Sequence, residues 1–79
     1  MTPKFELFHR IADGGCARVR KRLVELGLEG PASFRNVHYD VAREALAAHG
    51  IDVVPAIWDG ERLHVGEAAC LAFLEDAAR

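Results

Sequence analysis

The chain has 79 residues, of which 51% are hydrophobic and 28% are charged. This length allows one compact domain with a small core, and this composition is typical of globular rather than disordered proteins. Ten basic against twelve acidic residues give a net charge of −2, which argues against a nucleic-acid-binding protein. We therefore expect a single domain over residues 1–79 with no nucleic-acid partner.

The two cysteines, Cys16 and Cys70, are too few for the disulfide framework of a small secreted domain. Residues 1–6 lack the apolar segment of a secretory signal. No apolar run approaches the roughly 20 residues that a membrane helix needs. These features predict a cytoplasmic protein with reduced thiols and no membrane partner.

The first third of the chain combines a strand pattern with a helix pattern. Residues 4–10 are rich in aromatic and apolar side chains, which predicts a strand, and residues 11–15 contain two glycines, which predicts a loop. The spacing of apolar residues then predicts a helix over 16–28. The apolar stripe of this helix consists of Val19, Leu23, Val24 and Leu26.

The middle of the chain repeats this order. Residues 33–41 alternate in polarity, which predicts a second strand with Val37, Tyr39 and Val41 on one face. Residues 42–49 are rich in alanine and predict a short helix that Gly50 ends.

The last third of the chain predicts a hairpin followed by a helix. Residues 51–58 are apolar but contain Pro55, which lacks a backbone donor and must lie at a strand start, an edge or a special turn. Asp59-Gly60 predicts a hairpin turn toward a strand over 62–65. Residues 67–79 predict an amphipathic helix, with core candidates Cys70, Leu71, Phe73, Leu74 and Ala77.

The element order is therefore β-α-β-α-β-β-α. A strand–helix–strand unit implies a right-handed parallel crossover, and the closing hairpin adds antiparallel pairing. The sequence predicts an α/β fold with a four-stranded mixed sheet and helices on both of its faces.

Three segments resemble the thioredoxin fold, specifically glutaredoxins and the N-terminal domain of glutathione S-transferases. Residues 16–29 look like the first helix of that family. Val54-Pro55 stands where the family has a cis-proline, and residues 66–74 look like the final helix, whose N-terminus helps to hold glutathione. The resemblance implies a thioredoxin-like, glutaredoxin-like fold with glutathione as co-substrate or ligand.

The register of the resemblance decides which residue could react. Gly27 lies eleven positions after Cys16, a spacing similar to that of the second cysteine in the family's Cys-x-x-Cys motif. The first, nucleophilic position would then fall on Asp13, which cannot attack a disulfide. Cys16 is therefore the catalytic candidate that the resemblance leaves.

Two opposing effects act on the Cys16 thiol. A thiol in the first turn of a helix has a lowered pKa because of the helix dipole and the free backbone N–H groups, and Arg18 and Arg20 add positive potential. Asp13 would raise the pKa of a nearby thiol. A reactive thiol and a structural thiol therefore both stay open. We expect Cys70 to be a buried small hydrophobe. A Cys16–Cys70 bridge is geometrically conceivable if both helices pack on one face of the sheet, and the sequence does not give the separation that would decide it.

The substrate-binding candidates come from three parts of the chain that this fold would bring together. A cis bond at Val54-Pro55 would turn the Val54 backbone outward to pair with an extended peptide, whereas a trans edge-strand proline is the alternative. Glu67 could bind an amino group or simply complement the helix dipole. The full set is Asp13, Gly14, Gly15, Val54, Pro55, Gly66 and Glu67.

Two functions follow as hypotheses. The first is a glutaredoxin-like thiol-disulfide oxidoreductase, or glutathione-linked redox protein, that uses Cys16. The alternative is a non-catalytic glutathione- or protein-binding module of thioredoxin fold that has lost the nucleophilic cysteine. The expected partner is glutathione or a thiol-containing protein, bound by a monomer or homodimer. We expect no metal site, because the four histidines lie on separate elements.

Overall fold

The computed structural model describes residues 4–79, so the first three residues of the N-terminal segment lie outside it. The element order in this part of the chain is the predicted β-α-β-α-β-β-α. The elements are β1 (Phe5–His9), α1 (Gly14–Glu25), β2 (Ala32–Asn36), α2 (Asp40–Ala47), β3 (Ala56–Trp58), β4 (Leu63–Val65) and α3 (Glu67–Ala77).

The four strands form one mixed sheet in the order β2-β1-β3-β4. β1 and β2 are parallel, and Leu7 lies opposite Phe34. β3 runs antiparallel to β1, with Ile57 opposite Leu7, and β4 runs antiparallel to β3, with His64 opposite Ile57. The predicted parallel crossover and closing hairpin are both present.

The core is divided between the two faces of this sheet, because successive side chains of a strand point to opposite faces. Leu7 and its neighbour Phe8 accordingly belong to different clusters. The larger cluster joins the sheet to α1 and α3 and consists of Phe5, Leu7, Val19, Leu23, Leu28, Ile57, Cys70 and Leu74. The smaller cluster joins the other face to α2 and consists of Phe8, Val37, Leu46 and Ala56. Helices therefore cover both faces, as predicted.

α1 begins two residues earlier than the sequence predicts, because Asp13 caps it. The Asp13 Oδ2 atom accepts a hydrogen bond from the Cys16 N–H at 2.8 Å, which satisfies a donor of the first turn. The buried stripe is Cys16, Val19 and Leu23, whereas Val24, which was predicted to share it, is exposed. The true stripe follows the spacing of three and four residues more closely.

The predicted strand over 33–41 is wrong beyond Asn36. The Asn36 Oδ1 atom accepts a hydrogen bond from the His38 N–H at 2.9 Å, and this local bond turns the chain out of the sheet. Val37 is buried, but Tyr39 and Val41 are 65% and 71% exposed, and Val41 already belongs to α2. The three residues therefore share no strand face.

The predicted strand over 51–58 is shortened to its last three residues. The Val54-Pro55 bond is cis, as expected, and β3 starts at the next residue. The Asp59-Gly60 hairpin is confirmed, although its loop spans residues 59–62. The Asp59 Oδ1 atom accepts hydrogen bonds from the Glu61 and Arg62 N–H groups at 2.8 and 2.7 Å, which holds this longer loop.

α3 agrees with the sequence-based core prediction. Cys70 and Leu74 are fully buried, and the other three candidates, Leu71, Phe73 and Ala77, pack against them. Between residues 4 and 79, no helix has both the length and the apolar character needed to cross a membrane.

Candidate functional site

Three distant parts of the chain meet at Gly15. A Cβ atom at Gly15 would lie 3.2 Å from Asp13 Oδ2, 3.3 Å from Glu67 Oε1 and 3.6 Å from Pro55 Cδ. The start of α1, the cis-proline and the start of α3 thus converge around Gly15, and a side chain at position 15 would crowd the Asp13 and Glu67 carboxylates. We call this region the helix-end site. It consists of Asp13, Gly14, Gly15, Cys16, Val54, Pro55, Gly66 and Glu67.

The start of α3 is fixed to the cis-proline by a backbone hydrogen bond. The Gly66 N–H donates to the Pro55 carbonyl at 2.8 Å. Gly66 has φ +94°, a conformation that glycine adopts without a steric penalty. This geometry directs the chain from β4 into α3, so that Glu67 follows at the first helical position.

An ion pair connects α1 to α3 across the helix-end site. Arg18 donates to Glu67 twice, from Nε at 2.7 Å and from Nη2 at 2.8 Å. This pairing lowers the pKa of Glu67, chiefly through the hydrogen bond from Arg18. The side chains are 64% and 34% exposed, so the pair adds little to stability, but it holds a charged carboxylate at the mouth of the site.

The cis-proline leaves backbone groups free beside this carboxylate. Pro55 is buried, and Val54 is half-buried. Within residues 4–79, the N–H and C=O of Val54 have no hydrogen-bond partner. They can therefore pair with the backbone of a bound ligand.

Cys16 is the fully buried member of the helix-end site and does not reach solvent. The residue is 0% exposed, and its Sγ atom accepts a hydrogen bond from the Arg10 N–H at 3.3 Å. Burial raises the pKa of the Cys16 thiol, and Asp13 raises it further. The Arg10 N–H and Arg20 offset this only in part, so burial outweighs the lowering that the helix start predicts.

Cys70 is a free buried thiol on the same side of the sheet. It is 0% exposed, and its Sγ atom donates to the His64 carbonyl at 3.4 Å. Burial, with a further contribution from the nearby Cys16, raises the pKa of Cys70 to about 12. Both cysteines are unbridged.

His9 and Arg20 fix the loop that leads into α1. The Arg20 Nη1 atom lies 3.2 Å from His9 Nδ1, and the same guanidinium donates to the Arg10 and Ile11 carbonyls at 3.2 and 3.4 Å. His9 is buried, and burial followed by the charge of Arg20 lowers its pKa. The neutral ring therefore accepts from Arg20 rather than assisting the Cys16 thiol.

The structure brings all eight candidate residues into one region. It also shows side-chain contacts of two α1 arginines that the sequence did not predict. The sequence indicated only the positive potential of these arginines. In the structure Arg18 pairs with Glu67, and Arg20 contacts His9. The signal that could have located the site boundary was Asp13, a favoured N-cap residue directly before two glycines.

No group of three histidine, cysteine or carboxylate side chains that could hold a metal ion occurs in the part of the chain that the structure describes. Comparison of the chain with protein-family models, with curated proteins and with solved structures finds no match.

Proposed function

We propose that this chain is a non-catalytic binding module of thioredoxin fold, of the type found in glutaredoxins and in the N-terminal domains of glutathione S-transferases. Its ligand is glutathione or a cysteinyl segment of a thiol-containing protein, held at the helix-end site. The sheet order, the parallel β1–α1–β2 crossover and the cis-proline before β3 support this fold.

The burial of Cys16 is the observation that carries the proposal. A disulfide can react only with a thiolate that it can reach, and Cys16 is 0% exposed with a raised pKa. Asp13, at the position that the resemblance gives to the nucleophile, accepts the Cys16 N–H instead. Asp13 and Cys16 therefore stabilise the first turn of α1 and do not form a reactive centre.

The surface above Cys16 has the groups that a γ-glutamyl-cysteinyl peptide needs. The free Val54 N–H and C=O can pair with the cysteinyl backbone. The Glu67 carboxylate can accept the ligand's amino group, while the first N–H groups of α3 face the ligand's carboxylate. Arg18 keeps Glu67 charged and in place before the ligand arrives.

Calorimetric titration with reduced glutathione tests this proposal. Glu67→Gln removes the charge that receives the amino group, and we expect it to weaken binding by about fivefold or more. Glu75→Gln is the matched control, because Glu75 also lies on α3 and pairs with an α1 arginine, Arg22, at 2.6 Å. The control should bind like the unchanged protein.

The absence of glutathione binding, or equal losses in both variants, would refute the helix-end site as a glutathione site. Titration with γ-glutamyl-seryl-glycine, in which serine replaces the cysteine of glutathione, adds a second check. A module that grips the backbone without thiol chemistry should bind this analogue nearly as well.

A thiol-disulfide oxidoreductase that uses Cys16 is the second candidate. The Arg10 N–H at 3.3 Å from Sγ and the charge of Arg20 both favour the thiolate. The thiolate would attack one sulfur of a mixed disulfide, form a new S–S bond and release the other sulfur as a thiolate. Glutathione-disulfide exchange that Cys16→Ser abolishes and Cys70→Ser retains would establish this function in place of the first.

A further inference from the structure

A second concave region lies between the loops that follow β1 and β2. These loops stand at the carboxyl ends of two parallel strands, a place where α/β proteins commonly bind ligands. A cleft of about 520 Å³ lies there, lined by Arg10, Ile11 and Ala12 from one loop, and by Asn36, Val37, His38 and Arg43 from the other loop and α2. It shares no lining residue with the helix-end site.

This cleft continues into a second one along α2. The second cleft has about 240 Å³ and is lined at its far end by Leu46, Ala47, Ile51 and Asp52. Arg10, Val37 and Arg43 line both clefts, so the two form one groove. We call it the carboxyl-end groove. Its first cleft is cationic, and its far end is apolar apart from Asp52.

The groove contains a guanidinium with no ion-pair partner among residues 4–79. Within residues 4–79, the Arg10 guanidinium has no hydrogen bond or ion pair, and its charge contributes to lowering the pKa of Asp13. Arg43 is held in place by Asp40 and by the Val37 carbonyl. One free and one positioned guanidinium thus line the same cleft, and guanidinium groups bind carboxylates in a fixed bidentate geometry.

Large apolar side chains are exposed on the lining of the cationic cleft and on the chain segment between His38 and Arg43, which both line it. Ile11, Tyr39 and Val41 are all exposed, and the Tyr39 ring packs edge-on against the His38 ring with centroids 5.5 Å apart. A small free anion would leave these side chains in water. A polypeptide segment with apolar residues beside its acidic group would cover them.

We propose that the carboxyl-end groove docks an acidic, apolar segment of a protein partner. The partner's carboxylate pairs with Arg10 beside Arg43, and a neighbouring apolar side chain enters the Leu46–Ile51 end. Asp52 at that end orients the segment, because it repels a second acidic group there. An anionic membrane is a poorer match, since the groove has two arginines of which one is already paired. The proposal does not rest on glutathione binding at the helix-end site.

Selection from a random dodecapeptide library displayed on phage, with the folded protein as bait, tests this inference. We expect the recovered peptides to share an acidic residue next to apolar ones. Synthetic copies should bind Arg10→Glu about tenfold or more weakly, measured by fluorescence anisotropy. Lys21→Glu is the matched control, because Lys21 is an exposed cation of α1 that lines neither cleft, and it should bind as tightly as the unchanged protein.

Three outcomes would overturn the proposal. One is a selection that recovers no peptide or none enriched in acidic residues. Another is equal affinity of the recovered peptides for Arg10→Glu and Lys21→Glu. The third is Arg10-dependent binding to vesicles of phosphatidylcholine and phosphatidylserine without peptide binding, which would assign the groove to a membrane.

Discussion

The two faces of the sheet differ in how many buried residues pack against them. Eight buried residues join the sheet to α1 and α3, and these helices are further connected by the ion pairs Arg18–Glu67 and Arg22–Glu75. Four buried residues join the other face to α2, and the carboxyl-end groove runs along that helix. The thiols lie on the well-packed side, and the open surface lies on the other.

The difference in packing suits the two faces to different kinds of ligand binding. A well-packed face holds its groups in one arrangement, which suits the fixed backbone and carboxylate of the helix-end site. A sparsely packed helix opens at a lower free-energy cost, so its surface can adjust to a partner segment. We therefore expect the α1–α3 face to dominate stability and the α2 face to tolerate change.

Matched core substitutions should show this contrast as the largest effect. Leu23→Ala on α1 should lower the free energy of unfolding by about 3–4 kcal/mol, and Leu46→Ala on α2 by about 2–3 kcal/mol, because α2 can collapse onto the smaller cluster. Urea denaturation followed by circular dichroism measures both. An equal or larger loss for Leu46→Ala would remove the distinction between the faces.

Thiol reactivity should follow the same packing. We expect Cys16 and Cys70 to react with iodoacetamide about tenfold or more slowly in the folded protein than in urea at pH 8, because burial raises the pKa of both and blocks access. Cys70 should be the slower of the two. Rapid alkylation of folded Cys16, with a midpoint below the usual thiol pKa near 8.5, would contradict the closed site.

The cap of α1 can be tested separately from its core. Asp13→Ala should lower the thermal midpoint because the Cys16 N–H loses its acceptor, and it should also lower the pKa of Cys16 by removing a nearby negative charge. Asp13→Asn is the control, since it keeps the acceptor but not the charge. It should retain most of the stability while still lowering the thiol pKa.

His9 should give the smallest effect, a dependence of stability on pH. Its pKa is lowered in the folded state, so below the ordinary pKa near 6.5 the unfolded chain binds a proton that the folded chain resists. Stability should therefore fall from pH 7.5 to 5.5. His9→Gln should flatten this slope, and His38→Gln, a substitution at an exposed histidine, is the matched control. A slope that survives His9→Gln would place its origin elsewhere.

The sequence predicted the element order because each element has a local signal. The Asp59-Gly60 turn, the position of Pro55 and the apolar spacing of α3 all act within a few residues, and each prediction was confirmed. The predicted length of β2 was wrong because a local interaction ends the strand. The Asn36 side chain competes with the sheet for the backbone, and an alternating pattern does not show that competition.

The convergence of three chain segments was predictable from the sequence, but the side-chain pairing between them was not. Asp13, Pro55 and Glu67 were candidates before the structure, and their contact at Gly15 agrees with that expectation. The pairing of Arg18 with Glu67 joins positions 49 residues apart, and no local pattern marks it. The carboxyl-end groove was missed entirely, because its lining comes from separate loops.

By itself, the sequence determined the α/β element order, the positions of the hairpin turn and the cis-proline, and the place of one cysteine at a helix start. Turn chemistry and periodicity depend on neighbouring residues, so the chain carries this information locally. Only the tertiary structure decided that Cys16 is closed from solvent and that Arg10 has no ion-pair partner among residues 4–79. Burial and unpaired charge are properties of what packs around a residue, and those neighbours come from distant parts of the chain.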